Sequence, residues 1–150
     1  MNLTSIILLL FCLIMLALLV KNNITPKNIG VTNGSLARLP ITPNAISSQT
    51  SDIRKKVDPF PFKQNLAESK DSLKIILQAF EGLDIMYESK NYIHAVSTST
   101  KMHFHDDIEF FFDERSKVVH FRSASRIGYS DMNVNRKRYE RLREEYMRQF

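Results

Sequence analysis

Residues 3–20 form an uninterrupted run without a charged side chain, rich in Leu and Ile and polar only at Thr4 and Ser5. As a helix those 18 residues rise about 27 Å, close to the roughly 30 Å hydrocarbon core of a bilayer. A secretory signal opens on a positive stretch and closes on small residues at a cleavage site. Here only Met1 and Asn2 precede the run, and Leu18, Leu19 and Val20 stand where Ala-x-Ala would be. Phe11 likewise occupies the position before Cys12 where a lipidated cysteine needs a small residue. Residues 1–21 are therefore read as a retained transmembrane anchor, with a cleaved signal peptide and a buried helix as alternatives. Taken literally, the positive-inside rule keeps Lys21, Lys27 and Arg38 cytoplasmic, but a long domain crosses largely regardless of its charge. The expected location is a bacterial inner membrane with the domain on the periplasmic side, so the membrane is the first expected partner.

What remains of the 150 residues is enough for one core. Cys12 is the only cysteine, so the rest of the chain can form no disulfide, no thiolate metal site and no Cys nucleophile. A thiol-free domain suits either redox compartment. The charge of +5 points toward anionic partners, yet 16 carboxylates are interleaved with 21 Lys and Arg. Where the charge lies therefore matters more than its sum.

Residues 22–42, rich in Asn, Thr, Ser, Gly and Pro with no sustained period, read as a flexible tether, and residues 43–150 as a single domain. Asp58-Pro59-Phe60-Pro61-Phe62 is extended because each proline bars helix for itself and its predecessor, and its two Phe are expected to dock on the core. Leu73, Ile76, Leu77 and Phe80 follow i, i+3, i+4, i+7, which predicts a helix capped by Ser69 or Asp71 and ended by Gly82. Residues 83–88 and 92–98 flank the polar turn Ser89-Lys90-Asn91 as a hairpin. A second hairpin, 107–113 with 117–123, places Phe112 opposite Val119, Phe110 opposite Phe121 and Glu109 opposite Arg122; a one-residue slip would bury Arg122 beside Phe110. After a loop carrying Gly128, Asn133 is expected to cap a last helix with the apolar stripe Tyr139, Leu142, Tyr146 and Phe150. The expected fold is α+β: a two-layer sandwich, a four-stranded antiparallel sheet of two hairpins with two helices on one face, preceded by an N-terminal transmembrane helix.

Several ordered strings add a resemblance. Tyr92-Ile93-His94-Ala95-Val96-Ser97, Asp106-Asp107-Ile108-Glu109-Phe110 and His120-Phe121-Arg122-Ser123-Ala124-Ser125-Arg126 occur in that order. Gly128-Tyr129-Ser130-Asp131 and Asn135-Arg136 follow, and Pro43-Asn44-Ala45-Ile46-Ser47-Ser48-Gln49 lies upstream. Over residues 40–143 the chain resembles the domain of unknown function 1499 family of bacterial and plant proteins. The resemblance implies a grouping and no activity. It also implies that residues 43–49 belong to the domain. Many relatives carry cysteines around the Pro-Asn segment, where this chain has Ile41 and Ala45.

Four groups of residues could carry chemistry. Arg122, Ser123, Ser125, Arg126, Gly128, Tyr129, Ser130 and Asp131 combine guanidinium forks, hydroxyls and free backbone near a helix start, which suits an anionic ligand. The plainer reading pairs Arg122 with Glu109 and leaves Ser130 and Asp131 to the turn. His94 and His120 with Glu109 or Asp107 could serve a hydrolase as acid and base on the outer sheet face, although no Ser or Cys nucleophile is evident. His103, His105 and Asp107 share one face of an extended segment, but three ligands on one short strand seldom converge on one ion, and neither a metal nor another cofactor is expected. Lastly, Arg136, Lys137, Arg138, Arg141, Arg143 and Arg148 make the last helix basic. The i,i+4 spacings Arg136 to Glu140 and Arg141 to Glu145 are those of an ordinary exposed helix, and membrane targeting disfavours nucleic acid. The expected partners beyond the membrane are an anionic small molecule, a lipid headgroup or another envelope protein, and the expected role is binding or interaction.

Overall fold

The computed structural model describes residues 2–149. Its first element, α1 (Leu3–Asn23), starts where the Asn2 side chain accepts the Ser5 amide at 2.9 Å. An 18-residue window of the helix has a mean hydropathy of 3.1, and none of that window is buried in protein. The helix is long and apolar enough to cross a membrane, a length and composition that signal sequences share.

The domain runs β1 (Val31–Thr32), β2 (Ser35–Leu36), β3 (Ala45–Ser47), β4 (Phe60–Pro61), α2 (Leu66–Ala79), β5 (Leu83–Ser89), β6 (Tyr92–Thr98), β7 (His105–Asp113), β8 (Val118–Ser125) and α3 (Val134–Met147). The class is α+β as expected. Both expected hairpins form, and the second has the expected register: Phe112 on Val119, Phe110 on Phe121, Glu109 on Arg122.

The four-stranded sheet is corrected to six strands, in the order β3-β8-β7-β6-β5 with β4 also on β8, beside a separate β1–β2 hairpin. An open β8 would leave a row of backbone groups without partners. β3 pairs residues 45–47 with 124–122, and β4 sets Phe60 and Pro61 against Val119 and Val118. Proline is tolerated here because β4 is at the edge. Strands of two or three residues in Pro-rich or polar surroundings carry no period to read.

Both helices pack on the inner face, where Leu73, Ile76 and Leu77 of α2 and Tyr139, Leu142 and Tyr146 of α3 meet Ile93, Ile108, Phe110 and Phe121. Phe60 is at the centre, 5.5–6.0 Å from the rings of Phe110, Phe121, Tyr139 and Tyr146. Phe150 lies outside the described residues. Two expected caps are replaced. Asn65 rather than Ser69 or Asp71 accepts the Glu68 amide and starts α2 a turn earlier, because Leu66 lies on the same buried face. Asn133 begins α3 with φ 63° and no side-chain cap bond; Asp131 accepts the amides of Asn133 and Asn135 instead. Gly82 has φ +72°, and a Cβ there would stand 3.0 Å from the Thr98 carbonyl oxygen.

Residues 22–42, expected as a tether, run out and back along the outer face of the sheet. At the near end Asn22 donates to the His103 carbonyl at 2.8 Å and accepts the His105 amide at 2.9 Å. Further along, the Gly30 amide reaches Glu109, and Leu36 with Val31 packs on Tyr92 and Phe111. On the return, Lys55 donates to the carbonyls of Pro40, Ile41 and Thr42 at 2.6–3.0 Å. Polar residues suit such a strap because the face beneath is itself polar.

Candidate functional site: a buried ionic layer and the cavity beside it

Strand alternation puts Asp107 and Glu109 of β7 on the outer face, between His94 of β6 and Arg122 of β8. Covered by the strap, Glu109 is 0% and Asp107 1% exposed. Glu109 accepts Arg122 Nη1 at 2.5 Å, the Tyr92 hydroxyl at 2.8 Å and the Gly30 amide at 2.6 Å. Asp107 accepts a fork from Arg126, Nε at 2.9 Å and Nη2 at 2.8 Å, and His94 Nε2 donates to it at 2.8 Å. Arg126 Nη1 also donates to the Asn22 carbonyl at 3.1 Å, which ties the layer to the end of α1.

Burial pushes the Asp107 carboxyl up, but the hydrogen bonds from His94 and Arg126 and the positive charges outweigh it and hold the group below its ordinary range. Burial, helped by the negative charge of Glu109, drives the Tyr92 phenol well above its ordinary range. Two carboxylates and two guanidiniums cancel, as burial of the layer requires.

A second polar knot forms where β8 meets α3. Asn135 bonds Ser123 Oγ, Ser125 Oγ at 3.1 Å, the Asn44 carbonyl at 3.1 Å and Asp131 at 2.7 Å, and Arg138 joins it to Asp106 at 2.7 Å. The residues expected to hold an anion therefore divide. Arg122, Ser125, Arg126 and Gly128 line one cavity. Ser123 is bound to Asn135, Ser130 Oγ accepts the Met132 amide at 3.3 Å, and the Asp131 carboxylate occupies the start of α3. Tyr129 is 74% exposed.

That cavity, of about 250 Å³, lies between the strap and β8, and Lys21, Asn28, Thr42, Asn44 and the Asp107 carboxylate, which Arg126 holds, complete its polar lining. Arg122 Nε is buried and has no hydrogen-bond partner among the described residues. Sequence reasoning missed Lys21, Asn28 and Thr42 because only the path of the chain, from the end of α1 out along the strap and back, brings them here. The signal for Asn44 was the Pro43–Asn44 string of the resemblance, whose segment supplies β3.

The two histidines do not converge. His94 and His120 are on β6 and β8 with β7 between, roughly 10 Å apart by strand spacing, and His94 is bound to Asp107 while His120 Nε2 stands 3.9 Å from Asp113. His120 Nδ1 lies 3.2 Å from Ser48 Oγ, a spacing that suits a base and a nucleophile. Ser48 Oγ, however, already accepts the Phe121 amide at 2.9 Å and so joins the end of β3 to β8. Burial lowers the His120 pKa despite Asp113. His103, with φ 52°, is in a turn and His105 Nδ1 is 3.0 Å from Thr98 Oγ1; no group of three His, Cys, Asp or Glu that could hold a metal ion occurs among the described residues.

The basic helix α3 spends several charges internally. Arg138 meets Asp106, Arg141 lies 4.6 Å from the Phe80 ring, and Arg136 donates to the Arg54 carbonyl rather than pairing with Glu140.

The fold and its outer face define a class: an α+β domain behind one apolar helix, its six-stranded sheet covered by helices on one side and by a strapped ionic layer on the other. A family model described as "Protein of unknown function (DUF1499)" matches residues 35–146, and the chain belongs to that family. The match takes in β2 to α3, including Arg122 and Arg126, and leaves α1, Lys21 and Asn22 outside. No significant similarity to a curated protein or to a solved structure was found.

Proposed function

We propose that this is a membrane-anchored binding domain, held by α1 on the periplasmic side of a bacterial inner membrane, which takes a singly charged anion in the cavity beside Arg122. The observation that carries this reading is the buried, unpartnered Arg122 Nε at a cavity that also has Lys21 on its wall. Arg122 and Arg126 are balanced by Glu109 and Asp107, so Lys21 adds the surplus positive charge, and it has no carboxylate partner among the described residues. Asn28 offers a side-chain amide donor around it, while the Thr42 hydroxyl donates to Asn44 at 2.7 Å and Asn44 to the Gly128 carbonyl at 2.8 Å. The ligand class this chemistry suits is a phosphodiester or carboxylate.

The full chain in neutral detergent micelles, titrated with glycerophosphoglycerol and followed by calorimetry, tests the reading. Saturable binding that Lys21→Ala weakens about tenfold, the equivalent of 1.4 kcal/mol, is the expected result. Absence of binding, or binding indifferent to Lys21→Ala, overturns it.

A further inference from the structure

We infer that the end of the sheet carrying the β6–β7 loop sits in the headgroup and acyl boundary of the bilayer that α1 enters, with Ile24, Met102, Phe104 and Tyr129 as its lipid-facing rim. The inference rests on α1 being the anchor of the proposed function. Its apolar residues end at Val20, and about 27 Å of helix leaves Lys21 and Asn22 at the membrane surface.

Asn22 then fixes the depth of everything bonded to it. Its side chain holds both the His103 carbonyl and the His105 amide, at 2.8 and 2.9 Å, and its own carbonyl accepts Arg126. A group two hydrogen bonds from the anchor lies at the depth of the anchor's end.

The loop it holds is ordered. Ser99 accepts the His103 amide at its carbonyl and the Phe104 amide at its hydroxyl, and its own amide donates to the Phe104 carbonyl. That ring of bonds keeps Met102 65% and Phe104 42% exposed, with Lys101 beside them. Ile24, just past α1, is 58% exposed. Tyr129 follows Gly128, which shares a cavity wall with Lys21. Apolar and aromatic side chains among lysines match this boundary, where rings and thioethers meet acyl chains and ammonium groups meet phosphate. The opposite end of the sheet is different: the β7–β8 turn presents Glu114, Arg115 and Ser116, all exposed.

The chain has no tryptophan, so a single introduced one reports its own depth. Full-length M102W, Y129W, R115W and I14W proteins are reconstituted into phosphatidylcholine and phosphatidylglycerol vesicles with bromine on the acyl chains. M102W and Y129W should lose most of their emission, while R115W, about 30 Å away along β7, keeps its own. If I14W is quenched while M102W and Y129W match R115W, the rim is wrong and the anchor stands. If I14W is not quenched, the anchor reading fails and takes the rim with it.

Discussion

Glu109 shows how a buried charge behaves when both its oxygens are hydrogen-bonded. Glu109→Ala leaves the Arg122 guanidinium buried without a counter-charge, and the expected cost is about 3–5 kcal/mol, read from urea unfolding of the detergent-solubilised chain. Replacing both residues by Met removes the stranded charge and should recover most of that loss. His120 governs a pH dependence. Burial lowers its folded pKa, so the unfolded chain takes up a proton first as pH falls. Stability is then held above the ordinary value of 6.5 and lost as pH drops through it toward the lower folded value. His120→Gln should flatten that stretch of a thermal-melting profile, although Asp113 opposes the shift and Phe111 and Ser48 face the ring. Below it, a further loss follows as Asp107 is protonated, since its folded pKa lies under its ordinary value. The Glu109–Arg122 pair was legible in the sequence because period-two alternation forces one register on a strand with a wholly apolar face. His94 with Asp107 was one of the pairs the sequence offered, but the fork from Arg126 was not, because that contact joins three strands and their loops at once.

At the scale of elements, the long, strongly patterned pieces were readable: α1, both hairpins and the two helices follow their periods to within a few residues. The pieces that were not share a physical reason. β3 and β4 exist because β8 needs a partner, and the strap is ordered because Tyr92, Phe111 and Glu109 need cover; neither need is written in the short segment that meets it. Composition alone therefore suggests a tether where the structure has Leu36 buried and the Gly30 amide bonded to a buried carboxylate. The consequence is measurable by truncation. A chain beginning at residue 22 keeps the strap, while one beginning at residue 43 loses the Leu36 contact and the bond to Glu109, together worth about 3 kcal/mol. Denaturant midpoints of the two should differ in that direction, and a dye that binds exposed apolar surface should light up only with the shorter one.

For the whole molecule, the same contacts turn a helix and a domain into one body. Asn22 meets Arg126 across 104 residues of chain, and Gly30 meets Glu109 across 79. The inner core was foreseeable from helix and strand periods, but the outer layer depends on pairings of this length. Such pairings also set an order of events in synthesis. α1, the strap and β3 leave the ribosome first, and the partners they need, β7 for the strap, Arg126 for Asn22 and β8 for β3, are made late. Contacts so distant in sequence close slowly, so the early segments wait without partners while the middle of the chain is translated. With α1 seated in the membrane, as proposed above, they are held at the surface through that interval, until β8 completes the sheet and α3 its inner cover.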